Sequence, residues 1–222
     1  MEQRTSYSSV SQPSVLQTNK VLRNTYMLLA MTLAFSAVCA GITAAIGISP
    51  MAALGMNIGA LVVLFVLHKA ADSAAGLAWV FLFTGLLGGS LGYTLGYYAA
   101  VPGGPDIIMQ AFGATALVFF ALSGYVLTTK KDFSFMGGFL MVGLVVVLIA
   151  AIANIFFAVP AVSLAINAAI VFIMSGLILF DTSRIIHGGE TNYVRATVSM
   201  YLNIYNLFVS LLHLIGAFSG DD

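Results

Sequence analysis

The segment that decides the fold is the last apolar stretch together with the turn before it: residues 181–218 read DTSRIIHGGETNYVRATVSMYLNIYNLFVSLLHLIGAF. The second part of this segment, residues 196–218, is long enough to span a bilayer as a helix. Polar residues recur in it at i, i+4, i+7, i+11 and i+14, on one helical face: Ser199, Asn203, Asn206, Ser210 and His213. Polar groups in hydrocarbon need partners, so this face should contact other helices. We therefore expect the segment to be the central helix of a bundle.

The composition indicates a membrane protein. Hydrophobic residues make up 60% of the sequence and charged residues only 7%, which lies outside the range of soluble domains. Its apolar runs of about 20 residues are typical of transmembrane helices, whereas barrel strands alternate in segments of about 10 residues. The predicted fold class is therefore all-α, a polytopic membrane protein.

Seven transmembrane helices are predicted, and four of the five prolines fall between them, where a missing N–H breaks no helical hydrogen bond. The predicted spans are residues 24–46, 51–67, 74–99, 107–128, 135–157, 161–181 and 196–218. They form a transmembrane domain over residues 20–218. Residues 1–19 are polar without apolar periodicity and are predicted to be a disordered tail, and residues 219–222 form a short C-terminal tail.

The basic residues all fall on one side of the predicted bundle: Arg4, Lys20, Arg23, Lys69, Lys130, Lys131, Arg184 and Arg195. The positive-inside rule makes that side cytoplasmic, so the N-terminus is expected inside and, with seven spans, the C-terminus outside. A re-entrant last segment is the alternative, which would return the C-terminus to the cytoplasm.

A ridge of small residues marks the third span, where Gly88, Gly92 and Gly96 repeat at i, i+4 and i+8. Such a ridge lets another backbone approach closely, which promotes helix packing in lipid. We expect these glycines to pack the bundle. A hinge or gating role is the alternative.

Asp181 is the ionisable residue to consider first, because it lies well inside the predicted sixth span. If that helix continues to the glycines at 188 and 189, the carboxylate lies about 10 Å from the end of the helix. Ionisable groups at such depth are candidate functional sites. Burial favours the neutral form of the carboxyl group, whereas Arg184 and Arg195 favour the charged form. The alternative is a local ion pair between Asp181 and Arg184 that anchors the helix end.

The short turn between spans six and seven predicts an antiparallel hairpin in which Asp181 faces the polar stripe. Asn203 starts from the same side of the membrane and reaches a comparable depth, so a hydrogen bond between Asp181 and Asn203 is expected. Asn206 lies one turn further along the same stripe. Generic hydrogen bonding between helices is the alternative role for these asparagines.

Enzyme, metal and cofactor chemistry is not expected. A serine protease would need a serine and a histidine at matching depth, but Ser123 and His213 lie near opposite ends of their spans. The histidines at 68, 187 and 213 do not cluster at ligand spacing, and a single cysteine excludes a disulfide framework. No nucleic-acid partner is expected either.

Three segments resemble the Bax inhibitor-1 family, also called the transmembrane Bax-inhibitor-motif family. They are KVLRNTYMLLAMTLAFSA from Lys20, AFGATALVFFALSGYVLTTKKDFSFMGGFL from Ala111, and LFDTSRIIHGGETNYVRATVSMYLNIYNLFVSLLHLIG from Leu179. The resemblance implies six helices around a central seventh and a cation leak, chiefly of calcium, that is controlled by protonation of paired aspartates. The sixth-helix aspartate of the family corresponds to Asp181, but its seventh-helix aspartate corresponds to Asn203. The arginine that the family carries near the cytoplasmic end of span two has no counterpart here.

Two functional hypotheses follow, and they are compatible. Within the family, the chain resembles the bacterial inner-membrane members that bind and modulate an FtsH-type ATP-dependent protease and its scaffold proteins. The polar N-terminal tail fits this reading, since an unfolding motor could grip it. The second hypothesis is a pH-sensitive calcium or cation leak through the bundle, which uses Asp181 and the polar face of the seventh helix. A proton-coupled carrier is a third option, but the internal repeats typical of carriers are not evident.

Overall fold

The computed structural model describes residues 15–219, and residues 1–14 and 220–222 lie outside the described part. Within it the chain folds into seven helices, each long and apolar enough to cross a membrane, so the predicted all-α polytopic class is confirmed. The helices are α1 (Val15–Ile46), α2 (Pro50–Ala70), α3 (Ala75–Ala100), α4 (Gly104–Thr129), α5 (Met136–Phe157), α6 (Pro160–Ile186) and α7 (Tyr193–Ser219).

The helix ends follow from local sequence chemistry. Prolines occupy the first turn of α2, α4 and α6, where no backbone donor is required. Ser49 caps α2, because its hydroxyl accepts a hydrogen bond from the Ala52 N–H at 3.2 Å. Gly188 stops α6 in the left-handed conformation at φ +76°, which glycine adopts without a Cβ penalty.

The first helix begins earlier than predicted. Residues 15–19 were expected in the disordered tail, but they form the first turns of α1. Gln17 and Thr18 lie beside the connection between α6 and α7, with which they line a surface cavity. No proline or glycine interrupts residues 15–19, so the helix of the first span continues back through them, and apolar periodicity alone does not reveal this extension. The remainder of the predicted tail, residues 1–14, lies outside the described residues.

The seventh helix is central, as expected. It packs against α1, α3, α4 and α6, whereas α2 packs mainly on α3 and α5 on α6. Several of its large side chains are fully buried, including Tyr201, Leu207 and Leu212. The third helix is as deeply buried as α7, which the polar stripe alone did not predict. The outer positions of α2 and α5 leave most of their apolar side chains facing lipid.

The glycines of α3 lie where α1 crosses it. A Cβ at Gly88 would lie 2.7 Å from the Cα of Ser36, and one at Gly92 would lie 2.7 Å from the carbonyl oxygen of Ala40. The Thr43 hydroxyl also donates to the Gly89 carbonyl at 2.8 Å, which ties the two helices together. Gly96 differs, since its nearest neighbour would be the Ala44 oxygen at 3.7 Å.

We expect Gly88→Ala to destabilise the bundle and Gly96→Ala not to. The added methyl group at 88 meets backbone atoms of α1, which cannot rotate away, and overpacking of this kind costs about 1 to 3 kcal/mol. At position 96 there is room for the methyl group, and replacing a helical glycine by alanine increases the free energy of unfolding by about 0.5 to 1 kcal/mol. Thermal unfolding of both variants in one detergent measures the difference. Equal melting temperatures would contradict this account of the contact between α1 and α3.

All basic residues of the described chain lie at one end of the bundle, which we call the basic end. It comprises the start of α1 and the connections between α2 and α3, α4 and α5, and α6 and α7. The candidate site lies just inside this end.

Candidate functional site

Asp181 lies on α6, five residues before the helix ends at Ile186, and only 6% of its surface is exposed. The turn that follows returns the chain directly into α7. Its geometry is held by Asn192, whose side-chain oxygen accepts hydrogen bonds from the N–H groups of Val194 and Arg195 at 2.8 and 3.1 Å. This cap fixes the point at which α7 begins. The predicted hairpin is therefore present, and it turns Asp181 toward α7.

Two side chains of α7 donate to one oxygen of the Asp181 carboxylate. The Ser199 hydroxyl lies 2.5 Å from Oδ2, and the Asn203 amide nitrogen lies 2.8 Å from the same atom. The expected hydrogen bond between Asp181 and Asn203 is thus present. The other oxygen, Oδ1, lies 4.0 Å from the Arg184 guanidinium. One carboxylate oxygen is thus bound by two hydrogen-bond donors of α7, and the other has a cation of its own helix nearby.

The two arginines proposed for this site separate in the structure. One terminal guanidinium nitrogen of Arg184 faces Asp181, and the other lies 3.6 Å from the Glu190 carboxylate. Arg195 does not contact Asp181, contrary to expectation. It lies 3.0 Å from Asp72 in the connection between α2 and α3, and 3.8 Å from Glu190. The reason is its position in the first turn of α7, which points it outward across the basic end rather than toward α6.

Asn206 also lies apart from Asp181. Its amide donates to the Leu202 carbonyl of its own helix at 2.8 Å, and its side chain is half-buried. Within the polar stripe, only Ser199 and Asn203 contact the carboxylate. His213, near the other end of α7, lies against the Tyr98 ring at a centroid distance of 6.3 Å. It is remote from Ser123, as predicted from the sequence.

The sequence did not predict the hydroxyl contacts made by the two residues that follow Asp181, Thr182 and Ser183. Ser123 on α4 lies 3.3 Å from the Thr182 hydroxyl and also contacts the hydroxyl of Tyr26 on α1. Ser183 accepts a hydrogen bond from the Phe133 N–H at 2.9 Å. The run of polar residues from 181 to 183 was the available signal, because consecutive residues of a helix must face different neighbours. This run links α6 to α4, to α7 and to the connection before α5.

Five charged groups form a chain across the basic end: Asp181, Arg184, Glu190, Arg195 and Asp72. Asp72 is its exposed end. Hydrogen bonds from Asn192 and from Arg195 lower the pKa of its carboxyl group below the ordinary value. A similar effect lowers the pKa of Asp132, whose carboxylate accepts hydrogen bonds from Ser134. The interactions of Asp72 tie the connection between α2 and α3 to the start of α7.

The lowered pKa of Asp72 predicts a pH-dependent contribution to stability. A carboxyl group with a lowered folded-state pKa stabilises the fold fully above its unfolded value of about 3.9. That contribution is lost as the pH falls through the lower folded-state value. Asp72→Asn should therefore lower the melting temperature at neutral pH, and the difference from the parent should narrow in acid. Asp106→Asn, at an exposed position of the opposite end, is the control. A difference that does not narrow would show that the charge of Asp72 is irrelevant.

No group of three or more His, Cys, Asp or Glu side chains that could hold a metal ion occurs among residues 15–219. The site is thus a single carboxylate held by hydroxyl, amide and guanidinium groups.

A bundle of seven membrane-spanning helices around a central α7, with a buried carboxylate between its last two helices, defines a multi-pass membrane protein. The family model "Inhibitor of apoptosis-promoting Bax1" matches residues 18–220. The chain belongs to this family, and the resemblance found in the sequence is confirmed.

Similar proteins cover nearly the whole chain. An uncharacterized membrane protein of Vibrio cholerae is 55% identical over 93% of this chain and 93% of its own length. The Escherichia coli K12 protein named modulator of FtsH protease YccA is 51% identical over 96% of this chain and 97% of its own length. An uncharacterized protein of Pseudomonas aeruginosa is 47% identical over 91% of each chain.

Proposed function

We propose that this protein binds an FtsH-type ATP-dependent protease in the bacterial inner membrane and modulates its activity. The observation that carries the proposal is the 51% identity to the Escherichia coli protein named modulator of FtsH protease, over 96% of this chain. The match leaves out no helix, so the surface that the relative uses for this role should have a counterpart here. In this function the chain acts as a regulatory partner rather than as an enzyme.

We propose the basic end as the docking surface. Its connections are fixed to one another: Asn192 donates to Asp72 at 2.7 Å, and the His187 ring lies 3.1 Å from the Lys130 carbonyl. Such fixed loops present a defined shape, which lowers the ordering cost of association. The positive-inside rule favours a cytoplasmic location for this end, where the ATP-dependent motor of the protease acts. Reporter fusions at the C-terminus test the orientation, and a fusion active only in the cytoplasm would contradict it.

The partner is tested by site-specific photo-crosslinking in native membranes, followed by affinity purification. A crosslinker at Lys131, exposed at the basic end, should capture the protease together with its scaffold proteins. The matched probe at Asp106, exposed at the opposite end, should capture less of either. Capture from Asp106 alone would move the docking surface to the other end. Failure of both probes, with the bundle inserted normally, would refute the proposed partnership.

Asp181 supports a second candidate function, a pH-sensitive leak of calcium or other cations. The observation behind it is the buried carboxylate with Ser199 and Asn203 on α7 and Arg184 beside it. We propose these residues as the proton and cation site. Arg195 and Asn206 lie outside that cluster and would act only indirectly. The second carboxylate that the family resemblance implies is an amide here, so one proton would control the leak.

We expect Asp181→Asn to flatten the pH dependence of cation flux in liposomes, because the site then has no carboxyl group to titrate. Asn206→Asp, which adds a carboxylate one turn beyond Asn203, is the control for altered charge on the same face of α7. A pH profile in Asp181→Asn identical to that of the parent would exclude Asp181 as the controlling group.

A further inference from the structure

A crevice between α1 and α4 opens sideways toward the membrane. Among the described residues, both helices pack against α7 rather than along each other. The gap has a volume of about 480 Å³, and its walls carry small residues, namely Ala30, Ala37 and Gly41 on α1 and Ala116 on α4. All four are exposed to the outside of the bundle. The crevice is therefore open to lipid, and nothing in the candidate site or the proposed function accounts for it.

The floor of the crevice is aromatic and apolar, with Tyr201, Tyr205 and Phe208 of α7 at its base. The hydroxyls of Tyr201 and Tyr205 have hydrogen-bond partners on α1 and α3. The Tyr201 hydroxyl lies 2.6 Å from the Ser36 hydroxyl, and the Tyr205 hydroxyl lies 3.4 Å from the Ser90 hydroxyl. At the basic end the floor is Tyr26, whose hydroxyl contacts the buried Ser123. The surface offered to an occupant is thus almost entirely hydrocarbon and ring faces.

The dimensions fit an acyl chain better than a helix. The crevice follows α1 from Tyr26 to Gly41, which is about 22 Å at 1.5 Å per residue. That exceeds half of the roughly 30 Å hydrocarbon core, the depth of one leaflet. A partner helix has a diameter of about 10 Å with its side chains, which is too wide for a channel of this length and volume.

Two cations lie beyond the basic end of the crevice, one on each of the two helices that form its walls. Arg23 precedes Tyr26 by three residues and shares a face of α1 with Ala30 and Ala37. Lys130 ends α4 on the other side, and both side chains are exposed. Neither makes an ion pair within the described part of the chain. By contrast, Arg184 and Arg195 pair with carboxylates, and Lys131 lies over the Tyr125 ring.

We infer that the crevice between α1 and α4 binds one phospholipid with a net negative headgroup, its acyl chain over the aromatic floor and its phosphate between Arg23 and Lys130. Cations at this level attract anionic lipid by about 1 kcal/mol each. The hydrocarbon lining supplies the affinity, and the two cations supply the headgroup preference. The proposal is independent of the proposed partnership with a protease and of the site at Asp181.

Native mass spectrometry of the purified full chain tests the binding. With phosphatidylglycerol as the probe, we expect one lipid to be retained after partial delipidation, and less phosphatidylcholine under the same conditions. Ala116→Phe fills the crevice and should reduce retention about tenfold, which corresponds to the loss of one buried side-chain equivalent. Ala121→Phe, exposed on the same helix but outside the crevice, is the matched control and should retain the lipid. Equal retention by the two variants would overturn the site.

The headgroup contact is tested by charge. Arg23→Gln should lower the preference for phosphatidylglycerol over phosphatidylcholine about fivefold. Lys69→Gln removes an exposed cation of α2, away from the crevice, and should leave the preference unchanged. Equal changes in the two variants would mean that any surface cation attracts the lipid. That outcome would contradict a specific headgroup site at the crevice.

A measurement on the unmodified protein covers the case in which Ala116→Phe fails to fold. Phosphatidylglycerol with a photoreactive acyl chain should label crevice residues of α1, α4 and α7 in preference to the lipid-facing side chains of α2 and α5. Uniform labelling of all lipid-facing helices would overturn the proposal. Crosslinks in the crevice to a second copy of the chain or to another protein would also overturn it.

Discussion

The stability of an Asn203→Asp variant is expected to fall steeply as the pH rises. In the parent, the Asn203 amide donates to the Asp181 carboxylate at 2.8 Å. An ionised carboxylate at 203 cannot donate, and two negative charges at this distance in a buried site do not coexist. The folded variant therefore keeps one proton shared between the two groups.

The direction of this pH dependence follows from the number of protons bound in the folded and unfolded states. Above about pH 5, the unfolded chain ionises both carboxyl groups, whereas the folded variant binds one proton more. Stability is then lost at about 1.4 kcal/mol per pH unit until the shared proton leaves. Melting temperatures across this range measure the slope. Cation flux, if the bundle conducts, should also respond to pH more steeply than in the parent.

Asn206→Asp is the matched control, with the same substitution one turn along the same helix. Asn206 bonds only to its own helix and is half-buried, so its replacement should give a much weaker slope. If both variants show the same slope, the contact between positions 181 and 203 is not special, and the candidate site loses its physical basis.

Deletion of residues 2–14 is expected to lengthen the lifetime of the protein severalfold in cells that contain the protease. The rest of the basic end consists of short connections, which give an unfolding motor little to grip. The sequence before α1 is polar and lacks apolar periodicity, so it offers the motor a starting point. Because α1 begins at Val15, a deletion that stops at Ser14 leaves the helix whole.

The deleted variant should also slow the degradation of other membrane substrates, since it can still bind the protease but resists extraction. Pulse-chase labelling follows both effects. A variant with residues 2–14 in scrambled order is the control, and it should decay like the parent if composition alone makes the handle. Equal decay of the deleted and parent forms, with other substrates unaffected, would remove this segment from the mechanism. The proposed partnership would then rest on the relative alone.

Much of the fold was accessible from the sequence because lipid imposes a simple rule. Backbone groups in hydrocarbon must be satisfied within the helix, so every long apolar run becomes a span. The start of α1 was predicted wrongly, because residues 15–19 are polar enough to suggest a tail but continue the helix of the first span. Apolar periodicity marks the part of a helix that lies in lipid and gives no signal for a polar turn that extends it.

The candidate site was accessible only in part. Periodicity and hairpin geometry predicted that Asp181 and Asn203 would meet, because both lie at fixed depths on adjacent helices. The ion pair of Arg195 with Asp72 was not predictable in this way. Its partner Asp72 is more than a hundred residues earlier in the chain, and the ion pair depends on where α2 ends relative to α7.

The sequence by itself determined the number of helices, the charge asymmetry between the two ends, the polar face of α7 and the depth of Asp181. Each of these features depends only on hydrophobicity and helical period along one segment. Only the tertiary structure decided that Ser199 shares the carboxylate with Asn203, that α1 crosses α3 at Gly88 and Gly92, and that α1 and α4 leave a crevice between them. These features depend on the distances and rotations between helices. Side chains from distant parts of the chain set those distances together, so no single stretch of sequence encodes them.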